Sequence, residues 1–110
     1  AALDYLQAQG PALGSKRSGA NADRIARKVI ENAGFPPYAH SLGHAVGLDI
    51  HEAPRLSIKK DEVLAPGMVF SIEPAIYIEG NYGIRIEDLV RLTDNSIEIL
   101  SKSPKEIIIL

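Results

Sequence analysis

The sequence contains no cysteine, which excludes disulfides and thiolate metal sites. Any metal ion would have to be held by His, Asp or Glu. Neither sign of charge is in excess: 12 Lys and Arg against 14 Asp and Glu leave a formal net charge of −2. No basic excess points to nucleic acid or to an anionic membrane surface, and no acidic run points to a basic partner. No apolar stretch approaches the roughly 20 residues of a membrane-spanning helix. No signal peptide, internal repeat, low-complexity tract or linker is visible. The expectation is a soluble, cytoplasmic chain with neither a nucleic-acid nor a membrane partner. What is present suits one globular domain, with 110 residues, 45% of them hydrophobic and 24% charged. That balance is far from the composition of disordered chains.

A conventional start is also missing. Ala1 to Gln9 have helical composition, yet no capping residue precedes them and no methionine begins them. Removal of an initiator methionine is one account, and truncation of a longer chain is the other.

Gly10 and Pro11 should stop this first helix, and Ala12 to Ala20 read as a Gly- and Ser-rich loop. The next helix is clearer. Ala22, Ile25, Ala26, Val29, Ile30 and Ala33 form one apolar stripe at helical spacing. Asn21 is the expected N-cap and Gly34 the expected stop. After Pro36 and Pro37 the character changes to strand and turn. Met68 to Ile78 reads as a strand and Glu79 to Asn81 as a hairpin loop. Tyr82 to Leu92 reads as the return strand. Thr93 to Ser96 makes a second turn and Ile97 to Leu100 a third strand. Ile107 to Leu110 reads as a fourth short strand or a helix end. Helices followed by a run of strands predict an α+β fold with an antiparallel sheet.

The hairpin carries two glutamates. Alternation places Ser71, Glu73, Ala75 and Tyr77 on one face. With the loop centred on Gly80, residues whose numbers sum to 160 lie opposite each other. Glu73 then faces Glu87, and Ala75 faces Arg85. Like charges directly opposite destabilise a strand pair. A shared proton, a cation such as Arg85 or a divalent metal would offset the repulsion. A surface hairpin with two solvated glutamates and Arg85 as their ion-pair partner is the plainer alternative.

All three histidines, His40, His44 and His51, lie within twelve residues. Imidazole is the commonest metal ligand and the usual proton carrier near neutral pH. The spacing is not the helical zinc-protease pattern, because Arg55 stands where the second His would be. Gly43 and Gly47 flank His44, which argues against a helix and for a close backbone approach.

Three segments carry a family resemblance. The first, Gly43-His44-Ala45-Val46-Gly47-Leu48-Asp49-Ile50-His51-Glu52-Ala53-Pro54, resembles the histidine motif of the pita-bread metallopeptidases. These include Xaa-Pro dipeptidases (prolidases), aminopeptidase P, methionine aminopeptidase and creatinase. Pro66-Gly67-Met68-Val69-Phe70-Ser71-Ile72-Glu73-Pro74 resembles the first glutamate motif, and Gly83-Ile84-Arg85-Ile86-Glu87-Asp88 the second. Order and spacing agree. Residues 1–110 then resemble the C-terminal half of the catalytic domain, with helices packed on a curved antiparallel sheet. His-Glu-Ala-Pro-Arg and the short gap between the glutamates are most similar to prolidases and short aminopeptidase P-like enzymes.

The resemblance implies metal-dependent hydrolysis of the Xaa-Pro bond in a dipeptide or at a peptide N-terminus. It implies His44, Glu73 and Glu87 as metal ligands, with Glu87 bridging two divalent ions (Mn, Co or Zn). It implies Glu73 as the group handling the proton of the attacking water and His51 as the contact to the scissile carbonyl. His40, Arg85 and Arg55 would line the substrate site, Arg55 meeting the dipeptide carboxylate. Tyr77 would support the site from behind.

The match is partial. The family's metal site also uses two upstream aspartates, and Asp4, Asp23 and Asp49 do not fit that motif. A site limited to His44, Glu73 and Glu87 is incomplete, so this chain alone is expected to be inactive. Ala45 and Ala75 replace glycines common in these motifs without removing a ligand. An uncovered sheet edge predicts self-association, as a dimer. Two other readings stay open: a non-catalytic binding module on the same fold, and a creatinase-like hydrolase of a non-peptide C–N bond. The prolidase-like Arg55 argues against the latter.

Overall fold

The computed structural model describes residues 1–8 and 17–109. Helix α1 spans Ala2–Ala8 and α2 spans Gly19–Asn32. The strands are β1 (Arg17–Ser18), β2 (Gly43–Ala45), β3 (Glu52–Leu56), β4 (Val63–Leu64), β5 (Val69–Ile72), β6 (Ala75–Ile78), β7 (Tyr82–Arg85), β8 (Asp88–Leu92) and β9 (Ile97–Ile99). Five of them form an antiparallel sheet in the order β3-β2-β5-β8-β9, while β1–β4 and β6–β7 form separate pairs. Both helices pack against each other and on the larger sheet. Leu6, Leu42, Leu56, Phe70, Val90 and Leu92 are fully buried between them. No helix among the described residues is long and apolar enough to cross a membrane.

Helix α1 lies within the span expected for it. The proposed stop at Gly10 and Pro11 and most of the loop after it lie outside the described residues. The end of that loop is corrected. Arg17–Ser18 is a strand and the helix begins at Gly19, with Ser18 as N-cap in place of Asn21. The Ser18 hydroxyl accepts from the Asn21 amide at 3.0 Å. Serine is at least as good a cap as asparagine, and starting earlier lets Gly19 and Ala20 bury against residues 55–62. The C-terminal end follows expectation. Gly34 has φ 85°, its amide donates to Glu31, and the Phe35 amide reaches back to Ile30. These are the two bonds of a Schellman stop, where a residue with a Cβ would be strained.

The apolar stripe of α2 is only half buried. Ala22, Ala26 and Ile30 are inside, whereas Val29 is 53% exposed and Ala33 lies at the surface. The fully buried polar residue of the helix is Asp23.

The long strands expected at 68–78 and 82–92 are each broken, at Glu73–Pro74 and at Ile86–Glu87. Proline has no amide hydrogen to continue a ladder. The Glu73 amide turns instead to the Leu42 carbonyl at 2.7 Å. The chain thereby passes from the five-stranded sheet into the β6–β7 hairpin. The register survives the break. Ala75 pairs with Arg85 and Ile72 with Asp88, so the sum of 160 holds on both sides. The turn at 93–96 and the strand beginning at Ile97 form as expected. Residues 107–109 are neither strand nor helix, and their isoleucines are exposed. Apolar, β-branched composition does not make a strand without a partner to pair with.

Gly43 explains the tight join of β2 to β5. A Cβ there would overlap the backbone carbonyl of Ser71. Backbone cannot yield as a side chain can. Gly43→Ala should therefore cost about 3 kcal/mol, the upper end of the usual overpacking range, read from urea unfolding. A loss below about 1 kcal/mol would mean that the strands separate freely.

Candidate active site

The site face of the sheet is set by register. Ala45 pairs with Phe70, whose ring enters the core. The neighbouring residues His44 and Ser71 therefore lie together on the opposite face, and Arg55 pairs with His44 from β3. A bulge between His44 and Ala45 separates them from the loop that carries His51.

His44 and Glu73 are brought into contact. His44 Nε2 lies 3.3 Å from Glu73 Oε1, and both side chains are largely buried. His44 Nδ1 lies 3.1 Å from the Ala45 carbonyl, so its N–H donates there. That bond selects the tautomer whose Nε2 lone pair faces the glutamate. Two acceptors facing each other need a proton or a cation between them. The donor chemistry thus fits a divalent metal ion, although one imidazole and one carboxylate are a partial set.

Ser71 anchors this pair. Its hydroxyl donates to Glu73 Oε1 at 3.0 Å and accepts from the His44 amide at 3.1 Å. Alternation had placed Ser71 on the Glu73 face, but nothing in its residue type distinguished it from an ordinary strand serine. Arg85 reaches Glu73 Oε2 at 3.6 Å from the paired strand and is half exposed, an ion pair the register foresaw.

His51 packs against this centre, its ring 4.2 Å from that of His44 and tilted 54° to it. Its loop is held by Glu52, whose carboxylate accepts the Asp49 amide at 2.8 Å. A Cβ on Gly47 would collide with the same carboxylate.

Glu87 is placed otherwise. It is exposed and lines a shallow cleft with Arg85 and residues 101–106. Among the described residues no three His, Cys, Asp or Glu side chains converge as a metal site requires. The implied set of His44, Glu73 and Glu87 is therefore not assembled in this conformation.

His40 and Arg55 line a second cleft, of about 430 Å³, beside Tyr38, Ser57 and Lys59. His40 Nδ1 donates to the Ser41 carbonyl at 2.7 Å, and Nε2 accepts from the Tyr77 hydroxyl at 3.3 Å. Tyr77 thus supports His40 rather than the His44–Glu73 pair. Tyr38 stacks on the other side of His40 at 4.8 Å. Burial and the adjoining Asp23 carboxylate push the Tyr38 hydroxyl far above its ordinary pKa, so it remains a donor.

Neither Asp4 nor Asp23 adds a ligand. Asp4 pairs with the N-terminal amine at 2.8 Å on the surface. Asp23 is buried and already accepts three hydrogen bonds.

Residues 1–94 match the model of metallopeptidase family M24. The Xaa-Pro dipeptidase of Pyrococcus furiosus is 46% identical over 107 residues, covering 94% of this chain and 31% of that protein. The crystal structure of an X-Pro aminopeptidase from Thermotoga maritima superposes with a TM-score of 0.85 at 37% identity, covering 99% of this chain and 30% of that one. The prolidase from Pyrococcus horikoshii gives 0.84 at 39% identity, over 97% of this chain and 30% of its own. The chain thus spans about three-tenths of the length of these relatives. The α+β class and pita-bread fold expected from the motifs are borne out by these solved structures. A family model matching most of the chain and a fold shared along nearly all of it lead to one assignment: the chain belongs to metallopeptidase family M24.

Proposed function

We propose that these residues serve metal-dependent hydrolysis of the bond before proline, in an Xaa-Pro dipeptide or at a peptide N-terminus. The observation that carries this reading is the His44 Nε2 lone pair held against the Glu73 carboxylate. Similarity to an Xaa-Pro dipeptidase supports the substrate class. His44 and Glu73, with Glu87 once turned from the cleft that it lines here, are the residues by which this chain would contribute to holding two divalent ions (Mn, Co or Zn). Such ions, when bound, acidify water and polarise a carbonyl.

The remaining steps belong to the chain's own side chains. Glu73 takes the proton of the attacking water at its carboxylate, kept in place by Ser71 and Arg85. His51, packed against His44, donates to the scissile carbonyl as charge develops there. His40 packs on the substrate proline. Arg55 offers a two-pronged donor to the dipeptide carboxylate, which favours dipeptides over longer peptides.

Titration with Ala-Pro and Pro-Ala, read from the histidine ring signals by NMR, tests the substrate class. Ala-Pro should perturb His40 and His51 at concentrations where Pro-Ala does not. Equal response to both would remove the proline reading.

With three candidate ligands where the resemblance implies five, the 110-residue chain should not hydrolyse Ala-Pro, even with added Mn or Co. A metal-dependent rate from this chain alone would overturn that expectation.

Self-association is also expected. Among the described residues, strands β3 and β9 are the edges of the five-stranded sheet, and Tyr82, Ile84 and Ile86 present an exposed apolar face. Sedimentation at rising concentration should show a dimer. A monomer throughout would contradict it.

A further inference from the structure

Asp23 lies inside the molecule, 0% exposed, and none of the proposed chemistry uses it. Its two carboxylate oxygens reach the two chain segments that line the His40–Arg55 cleft, 38–41 and 55–59. Oδ1 accepts from Arg27 Nε at 2.9 Å and from the Tyr38 hydroxyl at 2.7 Å. Oδ2 accepts from the Ile58 amide at 2.9 Å. Tyr38 begins the wall that carries His40, and Ile58 lies in the wall that carries Arg55.

Arg27 extends the link. Its two terminal nitrogens donate to the carbonyls of Tyr38 at 2.7 Å and His40 at 2.6 Å. All three guanidinium nitrogens are therefore engaged, and the group also sits 4.2 Å over the Tyr38 ring. A planar fork can hold three acceptors in fixed directions, and an ammonium group cannot. Tyr38 in turn stacks on the His40 imidazole.

We propose that Asp23 and Arg27 are positioning residues that fix His40 and set the width of the cleft between His40 and the Arg55 wall. The proposal rests on the reading of that cleft as the substrate site. Asp23 is buried behind the cleft, and Arg27 borders it with its guanidinium nitrogens already committed to Asp23, Tyr38 and His40. Arg27 acts through the carbonyls of Tyr38 and His40, and Asp23 through Arg27, the Tyr38 hydroxyl and the Ile58 amide. Buried networks of this kind define one geometry when every member is satisfied.

The test is histidine and amide NMR on the 110-residue chain. Arg27→Lys keeps the charge beside Asp23 but loses the fork. The His40 ring signal should shift and broaden, while His44, His51 and the Ile58 amide stay in place. Asp23→Asn keeps the shape but weakens both links, so His40 and the Ile58 amide should move together. An unmoved His40 in folded Arg27→Lys overturns the proposal. So does joint movement of all three histidines, or loss of the fold in both variants, since either makes the network a stability element only. Ala-Pro titration of the unsubstituted chain keeps the two readings apart. If Ala-Pro leaves His40 unperturbed while Arg27→Lys moves it, the substrate reading fails and the positioning stands.

Discussion

Asp23→Ala should destabilise the protein by about 3–5 kcal/mol, the cost of leaving a buried charge without its partner. The side chain is wholly buried and Arg27 is only 14% exposed, so water cannot replace the lost carboxylate. Three donors are stranded at once: Arg27 Nε, the Tyr38 hydroxyl and the Ile58 amide. Domains of this size have total stabilities of only about 5–15 kcal/mol. The loss is therefore a large share of the whole, and the urea midpoint should fall accordingly. Two comparisons localise the effect. Tyr38→Phe removes one donor along with its hydroxyl and should cost only about 1 kcal/mol. Arg24→Ala breaks an exposed contact with Asn21 on the same helix and should stay within about 0.5 kcal/mol. A change below about 1 kcal/mol for Asp23→Ala would show that α2 is not tied to Tyr38 and to the turn after β3 through this carboxylate.

The same residue marks where sequence reading fell short. Hydrophobic periodicity finds the side of α2 that carries carbon, and it found Ala22, Ala26 and Ile30. It assigns an aspartate to water by default. The signal available was the spacing of Asp23 and Arg27, which an i, i+4 pair requires, but exposed helices carry the same spacing. Burial came from partners 15 and 35 residues away, Tyr38 and Ile58. No local pattern reports such contacts. Strands β2 and β3 were hidden for another reason. They are three and five residues long, glycine or proline interrupts their alternation, and they are recognisable only from the strands they pair with.

The candidate site was legible to different depths. Alternation and a guessed turn put Arg85 beside Ala75 and within reach of Glu73, because a hairpin register propagates from its loop. The contact of His44 with Glu73 follows from motif order but not from any spacing, since 29 residues separate them. The opposition of Glu73 and Glu87 was sound as register and incomplete as geometry. The break at Pro74 sends the Glu73 backbone toward Leu42, and Glu87 faces residues 101–106 instead. Ser71 shows a further limit. Its place on the face was readable, but its hydroxyl matters only because β2 lies close enough to share it, and that closeness depends on Gly43 having no side chain.

Glu73→Gln should abolish the weak Mn²⁺ binding that a partial set of one imidazole and one carboxylate allows, while leaving the fold intact. The native carboxylate faces the His44 Nε2 lone pair at 3.3 Å, and an amide there removes the negative charge that a hard divalent cation requires. Substitutions around metal ligands cost about 10–100-fold in affinity, and loss of a ligand's charge should cost at least the upper figure. Broadening by Mn²⁺ of the His44 ring signal, together with that of the adjacent His51, is the direct readout. Thermal stability is the second, because a ligand bound only by the folded state stabilises it, by about 2.7 kcal/mol at 100 times its dissociation constant. Mn²⁺ should raise the melting temperature of the unsubstituted chain and leave that of Glu73→Gln unchanged. The fold should tolerate the change. Ser71 can still donate to the amide oxygen, and the Arg85 ion pair is long, with Arg85 half exposed, so its loss is worth little. Glu79→Gln, in the exposed hairpin turn, controls for the loss of one negative charge at the surface. Equal broadening of His44 in the two variants would mean that Mn²⁺ approaches His44 without Glu73. The geometry on which the hydrolytic reading stands would then hold a proton rather than a metal.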